Sequence, residues 1–225
     1  MGHMIESIAL ERGHEIVAIV DKDRMDEWSK VPQADVAIEF TTPQTAETNI
    51  RACWAQGVPV VCGSTGWDVR KLIVDSLKLK EDGSTIIFED EKGRPMLVWK
   101  SNFSIGVNLF FELNKFLAQA ISKQQAAIRY TPSITETHHI HKLDKPSGTA
   151  KTLAEQIEEC LHPISDGKGA NSVSIESIRE GEVPGTHEVR WDSEEDTIVI
   201  THIAKGRRGF ALGAVIAAEK INNEV

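Results

Sequence analysis

Short apolar runs, set apart by helix-length windows, constrain this chain more than any other feature. His14-Glu-Ile-Val-Ala-Ile-Val-Asp21, Asp35-Val-Ala-Ile-Glu-Phe40 and Gly57-Val-Pro-Val-Val-Cys62 are too short for buried helices, rich in β-branched residues and bounded by turn formers, so each reads as a strand. Helical patterns fill the windows 1–10, 44–54 and 69–79 between and after them. Parallel strands need long crossovers, and helices at this spacing supply them, which predicts an α/β fold with a parallel sheet. A further strand is expected at 84–88. A charged stretch, 89–95, then reads as a hairpin turn before Met96-Leu-Val-Trp-Lys100.

The second half reads differently. An amphipathic helix runs to about 122, a strand follows from about 127 to Glu136, and three alternating stretches at 172–179, 186–191 and 197–203 predict a second, mixed sheet. A last helix extends to about 222.

Composition excludes several classes. The 225 residues are 40% apolar and 26% charged, ordinary for a globular protein with a sizeable core. A formal charge of −9 repels phosphate and argues against nucleic acid as a partner. No run approaches the roughly 18 apolar residues of a membrane span, and no secretory signal opens the chain. Cys53, Cys62 and Cys160 are odd in number and set in apolar surroundings, so free buried thiols and a cytoplasmic location are expected.

Chemistry concentrates in 136–150. That stretch carries His138, His139 and His141, Lys142 and Lys145, Glu136 and Asp144, then Pro146-Ser-Gly-Thr149 and an apolar-periodic run at Ala150, Leu153, Ala154, Ile157 and Leu161. A helix therefore starts near Ser147. Its free N–H groups, with the hydroxyls of Ser147 and Thr149, make an anion site beside the cations. A small carboxylate or phosphate is the expected ligand, with Lys142 supplying a proton or a positive charge. Other readings remain open: a solvated charged loop, or a zinc site built on imidazoles. Against zinc, adjacent residues of a strand point to opposite faces, so His138 and His139 cannot easily share one ion, and no cysteine lies near. A nucleotide P-loop is excluded because Ser-Gly-Thr-Ala-Lys lacks the Gly-Lys-Ser/Thr ending.

The same stretch resembles the signature of the dihydrodipicolinate reductases, Glu-x-His-His-x-x-Lys-x-Asp-x-Pro-Ser-Gly-Thr-Ala. Every defined position is filled, by Glu136, His138, His139, Lys142, Asp144, Pro146, Ser147, Gly148, Thr149 and Ala150. The resemblance implies a Rossmann-type dinucleotide-binding domain at 1–103 and 206–225, with an inserted α+β mixed-sheet domain for substrate and oligomerisation at 104–205. It implies NAD(P)H-dependent reduction of 4-hydroxy-tetrahydrodipicolinate by a homotetramer. His138 and Lys142 would be the catalytic pair, and His139, Gly148 and Thr149 would hold a dicarboxylate.

For NADH or NADPH the resemblance implies Gly2, Asp21, Lys22, the Gly63-Ser64-Thr65 loop, Ser101-Asn102-Phe103, Arg207 and Phe210, and it implies no metal. Family members carry a strand and a glycine-rich loop before the first helix. Met1-Gly2 corresponds to the end of that loop, so the chain is expected to begin about one strand late. Two competing classes are a non-catalytic dicarboxylate-binding protein and a histidine-based zinc module.

Overall fold

The computed structural model describes residues 1–72, 74–82, 85–125, 127–161 and 173–223. It divides into two compact units, Met1–Ser104 with Arg208–Val225, and Ile105–Arg207.

In the first unit, five strands form one sheet: β1 (Ala37–Glu39), β2 (Val60–Cys62), β3 (Lys78–Asp82), β4 (Thr85–Glu89) and β5 (Pro95–Lys100), in the order β1-β2-β5-β4-β3. The β1, β2 and β5 strands are parallel, whereas β4 and then β3 continue the sheet beyond β5 in antiparallel fashion. The β2 strand, flanked on both sides by parallel partners, shows why its sequence is uninterruptedly apolar. Val60 and Cys62 pack with Ile50 and Cys53 of α2 (Ala46–Trp54), while Val61 packs with Ala214, Ala218 and Ile221 of α5 (Arg208–Asn223). With both faces covered, alternation disappears from the sequence. The α1 helix (Gly2–Glu11) joins α5 through Ile5, Ile8 and Ala9 against Ala211 and Val215.

Two expectations fail here. Residues 14–20 form no ladder, although Ile16, Ala18 and Val20 still alternate into the apolar clusters. The period-2 pattern therefore records packing, while strand status also needs a neighbour's hydrogen-bonding edge. The window 69–79 is not one helix either: a single 3₁₀ turn at Val69–Lys71 precedes β3. Lys78-Leu79-Lys80 already has strand alternation, and the pairing of Leu79 with Phe88 outweighs local helix propensity. The charged stretch is a hairpin turn as expected, closed by the Asp90 N–H donating to the Arg94 carbonyl and the Arg94 N–H donating to the Asp90 carboxylate. Ser84 and Ser172, expected to begin strands, lie outside the described residues.

In the second unit, β6 (Thr131–His138), β7 (Ser174–Arg179), β8 (Thr186–Asp192) and β9 (Thr197–Ile203) form a sheet of order β7-β6-β8-β9, mixed because β6 and β7 are parallel and the other pairs antiparallel. One face is covered by α3 (Ile105–Ser122) and α4 (Gly148–Leu161). Phe110 and Phe111 of α3, Leu153 and Ile157 of α4, and Ile134, Val189 and Trp191 of the sheet make its core. No described helix is long and apolar enough to cross a membrane.

Gly213 of α5 is where the first unit tolerates least change. A Cβ there would lie 1.7 Å from the Phe103 carbonyl oxygen, a backbone atom that cannot rotate away. Gly213→Ala should therefore destabilise the protein by about 3 kcal/mol, the upper range for overpacking, and a urea titration measures it.

Candidate functional site

At one end of the inner face of the second sheet, apolar residues give way to polar ones. Glu136 pairs across the ladder with Ser177 on one side and His187 on the other, and His187 pairs with His202, so four polar side chains cross the sheet in a row. His138 and Arg179 form the next row. Strand alternation brings all six to the face that α4 covers.

Glu136 is fully buried. Its Oε1 accepts the Ser147 N–H at 3.0 Å and Arg179 Nη2 at 3.1 Å; its Oε2 lies 3.2 Å from His138 Nδ1 and 3.8 Å from His187 Nε2. Burial by itself would raise its pKa, but bonds from the Ser147 and Ser177 hydroxyls, the Ser147 N–H and Arg179 outweigh that and hold it at about 2. Burial works the other way on the imidazoles. His187 is lowered to about 4, and His138 is also lowered, against the opposing pull of Glu136. Both rings are neutral at pH 7, set edge to face with centroids 4.9 Å apart.

Ser147 caps α4. Its Oγ accepts the Ala150 N–H at 3.2 Å and lies 3.2 Å from His187 Nε2. The loop between β6 and α4 is fastened by Arg179, whose Nε donates to the Lys142 carbonyl at 3.2 Å and whose Nη2 donates to the Asp144 carbonyl at 2.5 Å. Lys142 Nζ lies 2.8 Å from Asp144 Oδ1. The Asp144 carboxyl, raised by burial but lowered more by Lys142, stays below its ordinary value. His139 is half-buried, its ring 6.0 Å from that of the exposed His141; Gly148 and Thr149 open α4.

The residues expected to hold a nucleotide lie in the first unit, except Arg207. Because β1, β2 and β5 are parallel and in register, Gly63-Ser64-Thr65 and Ser101-Asn102-Phe103 leave the same, carboxyl end of the sheet, where ligands of open α/β sheets bind. A Cβ on Gly63 would lie 2.2 Å from the Phe40 ring, so only glycine fits that turn as it stands. The Ser64 carbonyl accepts the indole N–H groups of Trp67 and Trp99, each at 2.9 Å, which stiffens the loop. Asn102 Oδ1 accepts the Ser104 N–H at 2.8 Å, and Phe103 is buried beside α5. Asp21 and Lys22 are exposed and joined by the Lys22 N–H to Asp21 Oδ1 bond of 2.6 Å. Gly2 opens α1, and Phe210 lies in the first turn of α5. The exposed Arg207 ends the second unit.

Among the described residues, Glu136, His138 and His187 also form a group whose ligand atoms could surround a metal ion, all lying within 4.8 Å of one another. The Arg179 guanidinium already occupies the other oxygen of Glu136 and brings a competing positive charge.

Comparison with known proteins decides the family. The sequence model described as "Dihydrodipicolinate reductase, N-terminus" matches residues 1–86, and the one described as "Dihydrodipicolinate reductase, C-terminus" matches residues 106–225. The chain belongs to the dihydrodipicolinate reductase family. A 4-hydroxy-tetrahydrodipicolinate reductase of Christiangramia forsetii is 41% identical over all of this chain and 89% of its own length. One from Lawsonia intracellularis is 30% identical over 98% of this chain and 89% of its own. Among solved structures, the dipicolinate-bound dihydrodipicolinate reductase of Paenisporosarcina sp. TG-14 has the same fold, with a TM-score of 0.66 at 21% identity over 99% of this chain and 90% of that one.

In this polar cluster, Arg179, His187 and His202 lie outside the 136–150 signature. Gly185-Thr-His187 is visible in sequence, but without the ladder a surface turn fits it equally well. Arg179 lies 43 residues from the carboxylate it meets.

The titrations give a direct test. Folded His187 stays neutral down to about pH 4, whereas the unfolded chain protonates it near 6.5. The unfolded state takes up the proton first, so stability that is complete above pH 6.5 is lost as pH falls towards 4. Denaturation midpoints between pH 7 and 4 should show that loss. His187→Gln should reduce its slope by an amount corresponding to about 3 kcal/mol over the window.

Proposed function

We propose that this chain is a cytoplasmic reductase that converts 4-hydroxy-tetrahydrodipicolinate to tetrahydrodipicolinate, with loss of water, at the expense of NADH or NADPH. The observation that carries the proposal is the assembly of the family signature into one site. The strand that delivers Glu136 and His138, the loop that holds Lys142, and the start of α4 are bonded together through Ser147 and Arg179. The names of the relatives and the length of the match support the same reaction.

The nicotinamide, when bound, supplies the hydride. The chain's own tasks are orientation and proton supply. Gly148 and Thr149 present the N-terminal end of α4 to one carboxylate of the substrate, where backbone donors and the helix dipole favour negative charge, and His139 binds a carboxylate with them. Lys142 delivers a proton to the ring as charge develops, and neutral His138 acts as acid and base. In the first unit, the glycine-lined turn at Gly63 and the Ser101-Asn102-Phe103 segment suit a dinucleotide, and Asp21 can accept from its ribose hydroxyls. Lys22, beside it, suits the additional phosphate of NADPH.

A second reading has one observation in its favour, the grouping of Glu136, His138 and His187. Elemental analysis of protein purified without chelator distinguishes a zinc protein from a reductase.

A homotetramer is part of the proposal. The face of the second sheet turned away from α3 and α4 exposes Ile178, Val199 and Ile203 among threonines, a surface suited to another copy. Light scattering at micromolar concentration should give a tetramer mass, and a monomer mass would refute it.

For the chemistry, Lys142→Ala should lower kcat by roughly 10²-fold, the scale of a positioned acid, in an assay following nicotinamide absorbance. An unchanged kcat would remove Lys142 from the mechanism. Pyridine-2,6-dicarboxylate, a planar substrate analogue, should compete with substrate. Thr149→Val should weaken it roughly 10-fold, the loss of about one good hydrogen bond.

A further inference from the structure

The signature stretch contains a carboxylate that the proposed chemistry does not use. Glu136 touches neither end of the reaction as assigned, yet it is the most buried charged group of the site. Its two oxygens are divided between two tasks. Oε1 bonds the Ser147 N–H and Arg179, and Arg179 in turn bonds the carbonyls of Lys142 and Asp144. Oε2 faces His138 Nδ1 at 3.2 Å, a contact without the alignment of a hydrogen bond.

An ionised carboxylate accepts and cannot donate, so the imidazole nitrogen facing it is the one that carries hydrogen. That leaves His138 Nε2 with the lone pair. Space beside Nε2 is kept by the missing side chain of Gly185, whose Cβ would stand 3.1 Å from it. The unaligned contact has room to tighten when substrate arrives, as catalytic hydrogen bonds commonly do.

We propose that Glu136 is the positioning residue of this site. One oxygen selects the Nδ1-protonated tautomer of His138 and so aims Nε2 at the substrate; the other, through Arg179, holds the loop that bears Lys142. The inference rests on the reading of His138 and Lys142 as the acid–base pair and adds a single carboxylate that places both.

Every charged or titratable group around His138 enters the test. Glu136 raises its proton affinity, Asp144 does so more weakly, and Lys142 and Arg179 lower it; His187 packs against its ring. Glu136→Gln removes the largest favourable charge. The limb of the pH profile of kcat/KM that belongs to His138 should then move to lower pH by about one unit, and kcat should fall at least roughly 10-fold. Glu136→Asp keeps the charge and should return the limb towards its original position. A purely structural carboxylate would lower the melting temperature without moving that limb.

The decisive measurement needs no variant. Long-range proton–nitrogen correlation spectra of histidine-labelled wild-type protein at pH 7 to 8 should show His138 with Nδ1 protonated and Nε2 bare. An Nε2-protonated ring overturns the proposal, as does a Glu136→Gln protein that keeps both the tautomer and the pH limb. If wild-type protein reduces no substrate, the assigned reaction fails while the spectra still judge the Glu136–His138 contact. If it reduces substrate with the opposite tautomer, only this inference fails.

Discussion

Burying one carboxylate organises the second unit. An ionised group removed from water is expensive unless hydrogen bonds and opposite charge replace its hydration. Glu136 obtains that replacement from Ser147 at the start of α4 and from Ser177 and Arg179 on β7. Satisfying the charge therefore decides where α4 begins, how β7 lies beside β6, and how the intervening loop is tied. A cluster of this kind rigidifies when complete and is costly when one member is lost.

The first unit is held by more ordinary means. The β2 strand, between β1 and β5, is three residues long, yet both its faces are covered, so a short Val-Val-Cys segment can anchor the sheet between α2 and α5. Parallel pairing then fixes which loops are neighbours. That arrangement is a property of register, and it explains why residues almost 40 positions apart, Gly63 and Ser101, leave the sheet at one end.

Much of this was legible in the sequence, for reasons that can be named. The helix after Pro146 was readable because its cap, its turn and its apolar spacing all agree, and the mixed second sheet because its strands alternate cleanly. The site's chemistry was legible where it is local, in 136–150. It was illegible where it depends on long-range pairing: nothing marks Arg179, and Gly185-Thr-His187 fits a surface turn as well as a site element, until β7 and β8 are laid against β6. The run at 14–20 shows the opposite error, since alternation tells which side chains are buried but not whether a ladder forms. At 69–79, a helical spacing of apolar residues coincided with the start of a hairpin, and cross-strand contacts prevailed.

The cysteines carry a practical consequence. Cys53 and Cys62 lie inside the first unit and Cys160 is half-buried on α4 in the second, with no disulfide among them. Burial pushes the Cys53 thiol up to about 11; that of Cys62 is raised further, and it donates to the Glu39 carboxylate at 3.1 Å. Such thiols react with alkylating reagents only when the surrounding structure opens. The first unit thus contains its own built-in clock, and the labelling rates of Cys53 and Cys62 report how often it breathes.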